Sequence, residues 1–128
     1  MCANSELQIT AVAADLFASR RAREFITASS CRRHCGAHLD DMVLLTTEVV
    51  TNAVLHGCPP ITIAVECSER ACRVTVSDGC PQHPRAARPS VDSQGGRGLM
   101  IIERLADGWG VEPRPGFGKA VWFEFAPG

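Results

Sequence analysis

The residues best suited to chemistry lie in two clusters, a helix-patterned stretch and a pair of glycine-containing segments further along the chain. Glu48 and Asn52 are four residues apart in the first cluster, so they share one face of the predicted helix. A carboxylate there can accept a proton, and an amide oxygen is a ligand for a hard cation such as Mg²⁺. The second cluster comprises Asp78-Gly79 and Gly95-Gly96-Arg97-Gly98-Leu99. A glycine-rich segment that enters a helix presents backbone N–H groups to phosphate, so the two clusters together predict a nucleotide site.

Each of these residues also has a purely structural interpretation. A polar pair four residues apart is common on a solvated helix face, Asp78 after an apolar strand is typical of a turn, and Gly95-Gly96 is typical of a loop end. His56 lies one turn beyond Asn52, where it either contacts phosphate or stabilises the helix C-terminus as a cation. The presence of both clusters in one chain favours the nucleotide site.

The composition predicts a single globular domain over residues 1–128. The chain has 45% hydrophobic and 21% charged residues and a net charge of -1, so no global charge attracts it to nucleic acid. No apolar run is long enough to span a membrane, and no basic segment followed by an apolar core marks a secretory signal. We therefore expect a cytoplasmic protein. Lys119 is the sole lysine and is not part of a Gly-Lys-Ser/Thr motif, which excludes a Walker-type phosphate loop.

The odd number of cysteines argues against a disulfide framework. Cys67 and Cys72 fall in apolar strand patterns and are interpreted as small core residues, whereas Cys80 is a candidate redox-sensitive thiol. The complete set is Cys2, Cys31, Cys35, Cys58, Cys67, Cys72 and Cys80.

Cys31, His34, Cys35 and His38 have the spacing of one helical face, and their side chains suit zinc. The alternative is a polar helix end whose cysteines face the core. We favour this alternative because Gly36 is expected to break the helix and structural zinc sites usually draw ligands from two elements.

Hydrophobic periodicity predicts the element order β-α-α-β-β-(lid)-α-β-β. Strands joined by hairpins, with the helices collected separately, indicate a two-layer α/β sandwich with a mixed, mostly antiparallel sheet and helices on one face. The irregular stretch at about 80–95 is either a functional lid or a tolerated flexible insertion. The predicted elements are strands at 7–12, 61–67, 72–77, 109–112 and 119–125 and helices at about 13–29, 39–56 and 97–106.

The motifs resemble those of the GHKL (Bergerat-fold) ATPases, which include gyrase B, histidine kinases, the MutL repair proteins and bacterial anti-sigma-factor serine kinases. Glu48, Asn52 and Ala53 match the N box, Asp78 matches the strand-ending Asp of the first glycine box, and Gly96-Arg97-Gly98-Leu99 matches the second. The resemblance covers about residues 14–125. The small size and the stretch from Glu48 to Gly57 look most like the anti-sigma-factor kinase branch.

This resemblance implies a role for each matching residue toward Mg²⁺ and ATP. Asn52 would ligate Mg²⁺, Glu48 would be the general base for a serine hydroxyl or a water, and Asp78 would accept a hydrogen bond from the adenine amino group. The residues that would contact the nucleotide are Asn52, His56, Asp78, Gly79, Gly96, Arg97, Gly98 and Leu99, with the backbone at Gly96 and Gly98 approaching the phosphates and Arg97 adding a guanidinium.

Two departures from the family pattern concern the adenine end of the site. The glycine is displaced by one position in Asp78-Gly79-Cys80, and Ala120-Val121 stands where a hydroxyl residue is usual.

The resemblance to the anti-sigma-factor kinase branch implies a serine/threonine kinase that forms a homodimer, phosphorylates a STAS-type anti-anti-sigma partner and sequesters a sigma factor or similar client. The alternatives are a GHKL module that binds nucleotide and protein without transferring phosphate, and a zinc- or redox-sensing regulator.

Overall fold

The computed structural model describes residues 6–79, 96–114 and 118–126, and its strands form one five-stranded sheet. The strands are β1 (Glu6–Val12), β2 (Ile61–Cys67), β3 (Cys72–Ser77), β4 (Gly108–Arg114) and β5 (Gly118–Phe125). The helices are α1 (Ala18–Ser29), α2 (Arg32–Cys35), α3 (Leu39–His56) and α4 (Gly96–Leu105), and a 3₁₀ turn (Gly36–His38) joins α2 to α3. The spatial order of the strands is β1-β2-β3-β5-β4.

The predicted α/β sandwich is confirmed, and the sheet differs from the prediction in one respect. Every neighbouring pair in the described sheet is antiparallel, whereas the sequence predicts a mixed sheet. The crossover through α4 does bring β4 into the same direction as β3. Because β5 lies between these two strands, neither has a parallel neighbour.

The core lies between the helices and one face of the sheet, toward which every second side chain of a strand points. On β2, Ile61, Ile63 and Val65 are fully buried, while the intervening Thr62 and Ala64 are partly exposed on the opposite face. Fully burying each such side chain contributes about 1.5–3 kcal/mol. The helices complete the same hydrophobic cluster with Ala22 and Ile26 of α1, Met42, Leu45 and Val50 of α3, and Ile102 of α4.

Helix α1 begins five residues later than the apolar spacing predicts. The Asp15 carboxylate accepts the backbone N–H of Phe17 (2.8 Å) and pairs with Arg21 (3.3 Å), so it holds a local turn in place of a helical one. Leu16 is 94% exposed and Phe17 is 52% exposed. Both residues continue the helical spacing in the sequence, but neither belongs to the core.

The Cys31–His38 segment is not one continuous helix, because α2 ends at Cys35 and the chain tightens into the 3₁₀ turn. Its four candidate zinc ligands therefore do not converge on one point. Cys31 Sγ lies 3.6 Å from His34 Nδ1, Cys35 Sγ faces Cys67 Sγ at 3.2 Å, and the His38 ring stacks on Phe125 at 5.0 Å. A hydrogen bond with the Cys72 side chain, together with burial, raises the pKa of the Cys35 thiol far above its usual range.

Cys58 is disulfide-bonded, which the odd cysteine count did not predict. Cys80, the candidate redox-sensitive thiol, and the predicted lid at about 80–95 lie outside the described residues. Among the helices that the structure describes, none combines the length and the apolar character needed to cross a bilayer.

Candidate nucleotide-binding site

Helix α3 positions the two residues with the strongest chemical signal. Its inner face is anchored by buried Met42, Leu45 and Val49, and Glu48 and Asn52 lie on the edge of this buried face. Glu48 and Asn52 are both partly buried on this helix, and His56, one turn further, is exposed. Their spacing places all three along one side of α3.

The Glu48 carboxylate and the Asn52 amide are not engaged by the fold. Among the described residues, no side-chain hydrogen bond or ion pair involves either group. The nearby Thr51 hydroxyl, in contrast, donates to Thr47 O (2.7 Å) and contacts Ser19 Oγ (2.9 Å). Glu48 and Asn52 are therefore available to a ligand, as a base and a cation ligand must be.

The end of α3 and the end of β3 meet at Asp78. An added Cβ at Gly57, which follows the helix, would lie 2.8 Å from Ala53 O and 2.9 Å from Asp78 Oδ2. The Asp78 carboxylate consequently lies against the C-terminal end of α3, in space that any other residue at position 57 would fill. Glu48 precedes Gly57 by nine positions, a separation of about 13 Å along the helix axis. A nucleoside triphosphate has the length to extend between the two carboxylates.

Asp78 is buried and carries a cationic neighbour that sequence reasoning missed. Only 3% of its side chain is exposed, and Lys119 Nζ lies 3.5 Å from Oδ2. The backbone N–H of Asp78 donates to the carbonyl oxygen of Lys119 (3.0 Å), which continues the β3–β5 register in which Ser77 faces Ala120. The sequence signal for Lys119 is weak, because only the strand order reveals that the two residues are opposite one another.

Gly79 packs closely against the loop that follows α3. Its N–H donates to Cys58 O (2.7 Å), and an added Cβ would lie 2.6 Å from Pro60 Cδ and 2.7 Å from Pro59 O. The structure thus requires a glycine here for close packing between the Pro59-Pro60 turn and the end of β3. Contact between Gly79 and a nucleotide stays a prediction.

The second glycine-rich segment forms the beginning of a helix, as the sequence predicts. Gly96, Arg97, Gly98 and Leu99 make up the first turn of α4. Helix α4 packs on α3 and carries buried Ile102 into the core. The first turn of a helix has backbone N–H groups without intrahelical acceptors and a partial positive charge, both of which suit phosphate. Gly95 lies outside the described residues.

The sequence comparison agrees with this geometry. The family model described as "Histidine kinase-like ATPase domain" matches residues 12–125. The chain belongs to the histidine kinase-like ATPase domain family. The match includes every residue of the candidate site and all elements from α1 to β5, so ATP is the expected ligand of this family member. A search of curated proteins finds no match to the chain.

Proposed function

We propose that the chain is an Mg·ATP-dependent serine/threonine kinase of the anti-sigma-factor type. The side of α3 supports this most directly. Glu48 and Asn52 make no side-chain hydrogen bond or ion pair with the described residues, and the Asp78 carboxylate lies beside Gly57, about 13 Å further along the helix axis. The Asp78 end of this arrangement suits the adenine base, and the Glu48 end suits the reacting phosphate. The first turn of α4 offers N–H groups for the phosphates between them.

The residues of the site suit Mg²⁺ as well as a nucleotide. Asn52 would hold the ion through its amide oxygen, a hard ligand on a partly buried helix position. When bound, Mg²⁺ neutralises the charge that develops on the phosphate oxygens. The resemblance to the family assigns Asp78 to the adenine amino group, from which its carboxylate would accept a hydrogen bond.

Glu48 is the general base in this proposal. Its carboxylate accepts the proton of a serine or threonine hydroxyl while the hydroxyl oxygen bonds to the γ-phosphorus and the bond to the ADP oxygen breaks. Arg97 in the first turn of α4 supplies a guanidinium for a phosphate oxygen. His56, exposed one turn beyond Asn52, is proposed either to contact a phosphate or to stabilise the end of α3.

The acceptor and client are proposed from the resemblance of the Glu48–Gly57 stretch to the anti-sigma-factor kinase branch. The acceptor is a STAS-type anti-anti-sigma protein, and the client is a sigma factor or similar protein. We also propose a homodimer. Strand β1 is an edge strand, and its Leu7 and Ile9 are 57% and 61% exposed on the same face, where a second copy would cover them.

A second candidate function is a nucleotide-binding interaction module that transfers no phosphate. The Lys119–Asp78 ion pair favours it, since the ammonium lies against the carboxylate that adenine would need. Phosphotransfer separates the two functions. The kinase is expected to move the γ-phosphate of labelled ATP to a STAS-type protein, and Glu48→Ala is expected to abolish the transfer while leaving ATP binding intact. Tight ATP binding without transfer to any of a panel of STAS-type proteins would favour the module.

A further inference from the structure

Four cysteines outside the nucleotide site come from two tight turns, and the first turn is the β2–β3 hairpin. Cys67 and Cys72 are its last facing pair, and they are 2% and 0% exposed. The backbone N–H of Ser68 donates to Ala71 O (3.0 Å), and the Ser68 hydroxyl accepts the N–H of Arg70 (3.1 Å). The turn therefore holds both thiols on the inner face of the sheet.

The second turn is helix α2. Cys31 precedes its first residue and Cys35 is its last, and the N–H of Cys35 donates to Cys31 O (2.7 Å). This bond closes one turn of helix, which places both side chains on the same side of the segment. Cys35 is fully buried, and Cys31 is partly buried.

The two turns meet through their sulfur atoms. The Sγ atoms of Cys35, Cys67 and Cys72 all lie within 4.8 Å of one another, and the Cys35–Cys67 pair is 3.2 Å apart. The backbone N–H of Cys31 donates to Cys67 Sγ (3.3 Å). Sulfurs that share a tetrahedral zinc ion at about 2.3 Å are about 3.8 Å apart, so changes of up to about 1 Å in these sulfur–sulfur distances would admit an ion among the three.

We propose that Cys31, Cys35, Cys67 and Cys72 bind one structural Zn²⁺ ion. Two cysteine pairs on two separate elements, with three and four residues between the members of each pair, match the ligand pattern of structural zinc sites. The Cys31 backbone N–H already contacts Cys67 Sγ, which places Cys31 next to the cluster, and its sulfur, 3.6 Å from His34 Nδ1, would be the fourth ligand. Each thiol loses its proton to solvent as it binds the ion.

The surroundings favour a metal ion over a disulfide. A Cys35–Cys67 disulfide would use two of the clustered thiols and leave Cys72 beside it with no role, whereas Zn²⁺ uses all of them. An oxidant must also reach the sulfurs, and Cys35 and Cys72 are both 0% exposed. A structural ion is instead enclosed as the chain folds. Arg32 and Arg33 on α2 provide positive charge close in the chain to the net negative charge of a zinc–tetrathiolate centre.

Such an ion would join α2 to the hairpin on the side of the sheet that carries the helices. The segment from Cys31 to His38 leads directly into α3, so the metal would fix the start of the helix that carries Glu48 and Asn52. This function is structural and independent of nucleotide binding.

The test is metal analysis of the full chain purified under reducing conditions without chelator. We expect about one Zn²⁺ per chain by plasma mass spectrometry, released when a mercurial reagent titrates the thiols. Cys67→Ser and Cys72→Ser are each expected to lower the zinc content at least ten-fold. Val65→Ala is the matched control: it opens a cavity at the same buried face of β2 and should lower the melting temperature while the zinc content stays at one.

Cobalt substitution covers the case in which the cysteine variants do not fold. The wild-type protein, stripped of zinc and loaded with Co²⁺, is expected to show thiolate-to-cobalt charge-transfer absorption and the intense d–d bands of tetrahedral coordination, and Cys31→Ser should shift those bands. The proposal is overturned if wild-type protein contains no zinc and gives no such spectrum with Co²⁺. A Cys35–Cys67 disulfide in the peptide map, or copper in place of zinc, would overturn it as well.

Discussion

Replacing Asp78 by asparagine is expected to weaken ATP binding and to relax the preference for adenine over guanine. The carboxylate is buried at the C-terminal end of α3, where its Oδ2 atom packs against Gly57 and lies 3.5 Å from Lys119 Nζ. A hydrogen bond to a charged acceptor contributes about 1.5–3 kcal/mol, and one between neutral groups about 0.5–1.5 kcal/mol. The substitution should therefore cost about 1–2 kcal/mol, which is roughly a 5- to 30-fold increase in the Kd for ATP.

The affinity of the Asp78→Asn variant for GTP should instead increase. The six-position oxygen of GTP is an acceptor, so a carboxylate repels it, whereas the asparagine side-chain amide can donate to it. The ratio of the two dissociation constants should consequently change by at least about ten-fold, since each direction contributes on the order of 1 kcal/mol. Calorimetric titration of wild type and variant with each nucleotide in Mg²⁺ measures both effects.

Folding stability distinguishes loss of recognition from loss of structure in this experiment. The partner cation Lys119 is 47% exposed, so water can solvate it when Asp78 becomes neutral, and the melting temperature should change little. Glu112→Gln makes the same change in net charge at an exposed position of β4 and should alter neither Kd. An unchanged Kd for ATP and an unchanged ATP/GTP ratio in Asp78→Asn would refute the assignment of Asp78 to the base.

Three further substitutions probe the phosphate end, the junction at the end of α3, and the exposed face of β1. Glu48→Gln should lower phosphotransfer by about 100-fold or more while ATP binding persists. If calorimetry shows that ATP affinity falls as much as phosphotransfer, Glu48 binds the nucleotide and is not the base. Gly57→Ala should lower the free energy of unfolding by about 1–3 kcal/mol in urea titrations, because the new Cβ would lie 2.8 Å from Ala53 O and 2.9 Å from Asp78 Oδ2; wild-type stability would contradict the packing described. Ile9→Glu should convert the proposed dimer to a monomer in sedimentation equilibrium, and a dimer of unchanged affinity would place the interface elsewhere.

Periodicity predicted the central elements because their signals agree at several levels. β2 and β3 have the predicted bounds, since their alternation is strict and the intervening segment is short and polar. Helix α3 begins with an acidic first turn and ends just before Gly57, as expected from the two prolines that follow. Helix α1 shows the limit of the approach, since Leu16 and Phe17 extend its apolar spacing while Asp15 holds the preceding residues in a turn.

The candidate site was predictable wherever a motif lies within one element and not where the fold brings distant segments together. Glu48 and Asn52 follow from helix geometry alone, but the pairing of Lys119 with Asp78 depends on β5 lying next to β3. The cysteines illustrate the same point. Their spacing marks pairs in the sequence, yet only the contact between α2 and the hairpin shows that Cys35 meets Cys67 and Cys72 and not His38.

Calorimetric titration with ATP, with and without Mg²⁺, tests the nucleotide site most directly. Wild type should bind ATP more tightly in the presence of Mg²⁺, and Asn52→Ala should lose that Mg²⁺ dependence because the amide oxygen on α3 is the proposed ligand of the ion. Cys58 forms a disulfide near Asp78, so both proteins should be compared in the same redox buffer. Absence of ATP binding by wild type would contradict a functional ATP site on this side of α3. An Asn52→Ala variant that keeps both the wild-type affinity for ATP and its Mg²⁺ dependence would contradict it as well.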